Sequence, residues 1–281
     1  MIKTLGLIAF DLDGTVLNDY KKIDDVTKSI LKKCSKNGIY TIPSTGRELS
    51  SIPPFIINNL DLNYAITSNG AKIYNLTTNR TIYSNEMSYS LIHHLLNTFL
   101  PLGANATFDV NINGKNYIDL NDYRKLSRIL HSSAMYSEFK NNTNIVPDLG
   151  AYIMERKQNV EKFQILLSDS FQKNDFIKIL NDYPELKISS SSSFNIELNN
   201  ATANKGEALT YVANHLDIPM SSVLSFGDGF NDWEMLLKSG YSCAMGNSPS
   251  EIKTLCNYVT KNNNNNGIAY ALSLLIPNLL F

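Results

Sequence analysis

Leu5 to Phe10 is a continuous apolar run that stops at Asp11, the pattern of a strand buried on both faces of a parallel sheet, with Asp11 at its carboxyl end. A helix follows, with Asp24 or Asp25 as its N-cap, Val26, Ile30, Leu31 and Cys34 as its apolar stripe, and Gly38 at its stop. Ile39 to Pro43 predicts a second strand ending at Ser44-Thr45-Gly46-Arg47, and Tyr64 to Thr67 a third ending at Ser68-Asn69-Gly70-Ala71. Lys72 to Tyr83 reads as a hairpin turning near Thr78 and Asn79. The plan to this point is βαβαβ, half of a doubly wound, Rossmann-like parallel sheet.

After about Ser84 the pattern changes. A helix from Ser88 to Leu100 is followed by Thr107 to Asp119, which carries the hairpin-turn dipeptide Asn113-Gly114. Lys162 to Leu167, a helix from Gln172 to Asp182 and a strand from Leu186 to Ser190 continue this second unit up to the serine run Ser189 to Ser193. Alternation then resumes: helix Asn204 to His215, strand Val223 to Phe226, helix Phe230 to Lys238, strand Tyr241 to Met245 and a final helix. The expected fold is therefore an α/β core built from residues 1–84 and 193–281, with an α/β insert over 85–192. Asn262 to Asn266 is a short low-complexity run, expected to be an exposed loop.

Composition narrows the classes of function. Hydrophobic residues form 43% of the 281 and charged residues 18%, enough to bury a core in each of two domains. The 25 Lys and Arg against 26 Asp and Glu leave a net charge of −1, so no basic field draws in nucleic acid or an anionic membrane. Cys34, Cys243 and Cys256 are scattered and lack CxxC spacing, which argues for reduced, packed thiols. The first ten residues lack the length and the cleavage site of a signal peptide, so a cytoplasmic protein is expected. The apolar tail from Ala269 to Phe281 contains Pro277 and falls short of the roughly 20 residues that span a bilayer; it is expected to be a packed helix.

Candidate chemistry lies where the apolar strands end. Asp11 and Asp13, in Asp11-Leu12-Asp13-Gly14-Thr15, share that position with Thr45-Gly46-Arg47 and with Gly227-Asp228-Gly229-Phe230-Asn231-Asp232. In an open parallel sheet such ends line one crevice, where ligands bind. If Asp11, Asp13, Asp228 and Asp232 share it, each like-charged pair at about 4 Å costs on the order of 4 kcal/mol at an effective dielectric near 20. Such a cluster calls for cations. Oxygen ligands without nearby His or Cys favour Mg²⁺, and His93, His94, His131 and His215 all lie outside these motifs. Lys205 opens a helix, where its ammonium and the helix N-terminus can both face an anion. Thr45 and the Gly46 N–H offer donors to phosphate oxygens, and Arg47 either reaches a substrate or begins the next helix.

As a set, these residues resemble the haloacid dehalogenase-like superfamily, and within it the Cof-type phosphatases of subclass IIB. DLDGT at 11–15, STGR at 44–47, SNGA at 68–71, NKGEAL at 204–209, GDGFND at 227–232 and AMGN at 244–247 occur in that family's order and bracket the split core. The resemblance implies that Asp11 is a nucleophile forming an aspartyl-phosphate and that Asp13 is the acid, then the base. It further implies that Mg²⁺ is held by Asp11, the Asp13 carbonyl and Asp228, supported by Asp232, and that Thr45, Gly46, Lys205 and Asn231 hold the phosphoryl oxygens. The insert would be a cap that selects a small phosphorylated metabolite, with Tyr117, Asp119 and Tyr123 as candidate contacts. Asn262 to Asn266 departs from the pattern, since this subgroup often has acidic residues there. Two alternatives share the scaffold: a sugar phosphomutase, and a non-enzymatic sensor of phosphate ligands.

Overall fold

The computed structural model describes residues 2, 4–130, 133–190 and 192–277. They form two compact units. The first comprises residues up to Arg47, Ile52–Tyr83 and those from Asn204 on; the second comprises Glu48–Ser51 and Ser84–Ala203. His131 and residues 278–281 of the apolar tail lie outside the described residues.

The first unit is built on a parallel sheet in the order Tyr258–Val259, Tyr241–Ala244, Val223–Gly227, Leu7–Phe10, Tyr40–Pro43. Leu7–Phe10 is central and buried at every position, which explains its unbroken apolar run. Phe10 pairs with Phe226 on one side and Pro43 on the other, so Asp11, Gly227 and Ser44 leave the sheet at the same edge. There the strand order reverses about its first strand, the topological switch point of such sheets.

Two local expectations are corrected. Tyr64–Thr67 continues the parallel sheet by a single parallel bridge, Ile66 to Ser44, in place of a full ladder: it heads a three-stranded sheet with Lys72–Asn75 and Arg80–Ser84 and pairs antiparallel to the first of these. In the helix Asp25–Lys36 the buried stripe is Thr27, Leu31 and Cys34, while Val26 is exposed. Spacings of four and three residues keep those positions on one face, and Val26 lies off it.

In the second unit the sheet order is Leu186–Ser189, Asn195–Asn200, Lys162–Leu167, Ala106–Ile112, Lys115–Asp119, Thr143–Val146. Asn113 and Gly114 both have positive φ, as a tight hairpin turn requires. Ala106, Phe108, Val110 and Ile112 join an apolar core with Phe99, Phe163 and Phe176, and the alternate residues Thr107, Asp109 and Asn111 fall on the opposite face. That face is also buried, and Thr107 Oγ1, Asp109 Oδ2 and Asn116 Oδ1 have no hydrogen-bond partner among the described residues. The unit ends later than the serine run suggests. Asn195–Asn200 pairs antiparallel with Lys162–Leu167 and carries the unit to Ala203. Its Asn-rich sequence has low strand propensity, and only Ile196 and Leu198 betray it. No helix among the described residues is long and apolar enough to cross a membrane.

Candidate active site

The edge of the parallel sheet brings three carboxylates together. One oxygen from each of Asp11, Asp228 and Asp232 lies within 4.8 Å of the other two. Asp11 is fixed by its backbone N–H, which donates to Phe226 O at 3.0 Å, and Asp228 follows the next strand directly. Asp232 is fully buried; its Oδ2 accepts the backbone N–H groups of Asp228 and Gly229, both at 3.0 Å. Its Oδ1 accepts from Lys205, so both oxygens are already engaged.

Lys205 is the counter-charge. Its ammonium lies 2.6 Å from both Asp11 Oδ1 and Asp232 Oδ1, with the side chain wholly buried. Local sequence dictates this placement. Asn204 caps the helix Lys205–His215 by accepting the Glu207 N–H at 2.8 Å. Gly206 lets that helix pass so close to its neighbour that a Cβ would stand 2.5 Å from Glu234 O. Burial opposes the charge on Lys205, yet the charges of Asp11 and Asp232 outweigh it and push its pKa up.

Three carboxylates facing one ammonium leave surplus negative charge. Burial, reinforced by Asp232 and Asp228, holds the Asp11 pKa well above the carboxylate range despite Lys205. Burial and the Asp232 charge likewise raise Asp228 to about 6, against the hydrogen bond from Thr15. A group of oxygen donors with this proton affinity suits a hard divalent cation, which would take the place of the proton. Asp228 is oriented by Thr15 Oγ1 at 2.7 Å and Asn247 Nδ2 at 3.3 Å. Gly14, at φ +77°, passes so close that a Cβ there would lie 2.3 Å from Asp228 Oδ2.

Asp13 is paired with cations. A general acid needs a raised pKa, and burial alone would raise this one. The Arg47 guanidinium reverses that with contacts of 2.6 Å from Nε and 2.9 Å from Nη2, and Lys21 Nζ adds a third at 2.6 Å. Together they hold Asp13 well below the usual carboxylate range. Arg47 is thus in the site, bound to Asp13.

Thr45 is buried, and its Oγ1 accepts the Arg47 N–H at 3.1 Å, leaving the hydroxyl proton to donate elsewhere. A Cβ on Gly46 would stand 2.7 Å from Asn69 Oδ1, and the same oxygen receives Asn231 Nδ2 at 3.4 Å. Thr45, Gly46, Asn69 and Asn231 therefore form one cluster within the unit. Sequence reasoning had not singled out Thr15, Lys21, Asn69 or Asn247. Three of these stand inside the quoted motifs DLDGT, SNGA and AMGN, which was the available signal; Lys21 carried none.

The candidate contacts of the second unit make local contacts. Tyr117 stacks on Tyr152 with ring centroids 5.0 Å apart, and Asp119 caps the helix Leu120–Ile129 by accepting the Asn121 N–H. Tyr123 packs against Ile118, Leu126 and Ile129. His93, His94 and His215 bond or stack with Asn97, Tyr183 and Tyr64.

Residues 8–272 match the family profile of haloacid dehalogenase-like hydrolases. The chain is 27% identical over 276 residues to the 5-amino-6-(5-phospho-D-ribitylamino)uracil phosphatase of Bacillus subtilis, covering 95% of this chain and 94% of that one. It is 29% identical over 292 residues to the phosphatase YwpJ of the same organism, covering 97% and 100%. Among solved structures, a subclass IIB sugar phosphatase has the same fold, with a TM-score of 0.78 at 19% identity, covering 96% of this chain and 98% of that one. The chain belongs to the haloacid dehalogenase-like hydrolases and, within them, to the Cof-type phosphatases.

Proposed function

We propose that this phosphatase hydrolyses phosphomonoesters of small polar metabolites, sugar phosphates or similar compounds, through an aspartyl-phosphate on Asp11 with Mg²⁺ as cofactor. The observation that carries the reading is the buried Lys205, bonded at once to Asp11 and Asp232 beside Asp228. Lys205 holds Asp11 Oδ1, which leaves Oδ2 to attack phosphorus. The P–O bond to the leaving group breaks as the new one forms, and the departing oxygen takes a proton from Asp13. Water then attacks the phosphoryl group and gives its proton to Asp13, releasing phosphate and restoring Asp11.

As arranged, Asp13 is ionised and suited to the second half, taking the proton from water. Donation in the first half requires it to gain a proton, so the contacts from Arg47 and Lys21 must loosen when an ester binds. Thr45, Gly46, Lys205 and Asn231 would hold the phosphoryl oxygens as charge develops. Asp11, Asp228 and the Asp13 carbonyl would hold Mg²⁺, with Asp232 as support because its oxygens are engaged. Bound there, the ion would supply charge neutralisation at the phosphoryl group.

The substrate class draws on the ribitylamino-uracil phosphate named for one relative and the sugar phosphatase activity named for a structural neighbour. The three free thiols fit a reducing, cytoplasmic setting. Incubation with p-nitrophenyl phosphate and Mg²⁺ should release phosphate, and Asp11→Asn should abolish it. Equal rates for the two proteins would sink the reading, and an isomeric product in place of phosphate would turn it into a mutase.

A further inference from the structure

The asparagine run that interrupts the family resemblance is wired into the catalytic loop. Asn263 is buried; its Nδ2 donates to Leu17 O at 3.1 Å and to Asp19 Oδ1 at 3.0 Å. Asn264 meets the same Asp19 twice: Nδ2 donates to Asp19 Oδ2 at 2.9 Å, and Oδ1 accepts the Asp19 N–H at 3.0 Å. Asp19 therefore lies in an amide fork made by two successive asparagines. It lies within the turn Asn18–Lys22, closed by Lys21 N–H to Asn18 O at 2.8 Å and by Asn18 Oδ1 accepting from Lys22 N–H at 3.0 Å. The turn presents Lys21, at φ +56°, with its Nζ on Asp13. A second branch runs the other way. The Asn263 N–H donates to Asn247 Oδ1 at 3.1 Å, and Asn247 Nδ2 donates to Gly14 O at 2.9 Å and to Asp228.

The chemistry requires amides here. A carboxylate such as Asp19 accepts only, so its partners must donate, and an acidic residue at 264 would set two like charges about 3 Å apart.

We propose that Asn263 and Asn264 are positioning residues: through Asp19 they fix the turn that aims Lys21 at Asp13, and through Asn247 they brace Gly14 and Asp228. The proposal rests on the phosphatase reading for its consequence in turnover, and on hydrogen bonds alone for the wiring.

The test is a charge transposition across exposed positions, using the full chain. Asn264→Asp should lower kcat for p-nitrophenyl phosphate by about fivefold with little change in KM, the scale of one exposed like-charge contact. It should also speed amide hydrogen exchange at Lys21 and Lys22. Adding Asp19→Asn reverses the direction of the 19–264 side-chain bond while leaving Asn263 a carbonyl to donate to, so the double variant should regain kcat and protection. In a Lys21→Met background, Asn264→Asp should cause no further loss, because both act through one contact. Losses that multiply in that background, or a double variant no better than the single one, would overturn the proposal. Should wild type hydrolyse no ester, the phosphatase reading fails, and exchange at Lys21 and Lys22 alone decides the wiring: unchanged rates in Asn264→Asp refute it.

Discussion

Lys205→Met is the perturbation whose energetics can be worked most fully. Each 2.6 Å contact to Asp11 and Asp232 is about 6 kcal/mol of gross attraction at an effective dielectric near 20. Most of that offsets the desolvation of three buried ions, several kcal/mol each, so the intact cluster contributes little net stability. Removing the lysine is a different matter. It leaves the fully buried Asp232 without the ammonium that its Oδ1 accepts from, and breaking a buried pair in this way costs about 3–5 kcal/mol. The chain holds one tryptophan, Trp233, directly after Asp232 in the first unit, so its fluorescence reports unfolding where the charge is lost. Guanidinium titrations without divalent cation should show Lys205→Met unfolding at a clearly lower midpoint, with unchanged slope. Adding Asp232→Asn removes one stranded charge and should restore part of the loss. A Lys205→Met protein within about 1 kcal/mol of wild type would mean that Lys205 and Asp232 do not form a buried charged pair, and the reasoning would fall.

Three further outcomes follow from other parts of the molecule. Asp109 is buried and its pKa is pushed up to about 7, chiefly by desolvation against the hydrogen bond from Asn116. A raised folded value means stability fully present below about pH 4 and lost as pH rises through 7, a difference of roughly 4 kcal/mol. Asp109→Asn should flatten that dependence in denaturant titrations between pH 4 and 8, whereas parallel curves for variant and wild type would count against a protonated Asp109. Gly14→Ala combines a disfavoured φ with a Cβ 2.3 Å from Asp228 Oδ2, and should cut kcat/KM on the order of 100-fold by displacing that carboxylate. Mg²⁺ at a hundred times its Kd should stabilise the wild type by about 2.7 kcal/mol, read as a higher thermal midpoint, and Asp228→Asn should lose most of that shift.

What the sequence made legible is the edge of the parallel sheet. An apolar run buried on both faces has to end in polar residues, and at Asp11, Thr45 and Asp228 those ends coincide with the site. The turn at Asn113-Gly114 was legible because positive φ at both positions admits few residues. Other features depend on partners distant in sequence. Lys21 sits in an unremarkable polar turn, and only the fold brings it to Asp13. Asn195–Asn200 hides its alternation behind asparagines that face a buried polar surface. The low proton affinity of Asp13 could not be read from its motif, because it is set by Arg47, beyond the end of the next strand, and by Lys21.

The pairing of Leu7–Phe10 with Val223–Gly227 has a consequence for synthesis. At roughly 5–20 residues per second, the first strand leaves the ribosome some 10–40 seconds before its neighbour exists, exposing an apolar segment fit for a chaperone. The intervening second unit is nearly contiguous in sequence and can fold meanwhile. Once folded, it holds its own ends together: Asn85 Nδ2 lies 2.9 Å from Thr202 Oγ1, and Asn200 Nδ2 donates to Glu86 O at 3.3 Å. The nascent chain thereby shortens the loop that its central sheet must close, so the insert eases the assembly of the sheet it interrupts.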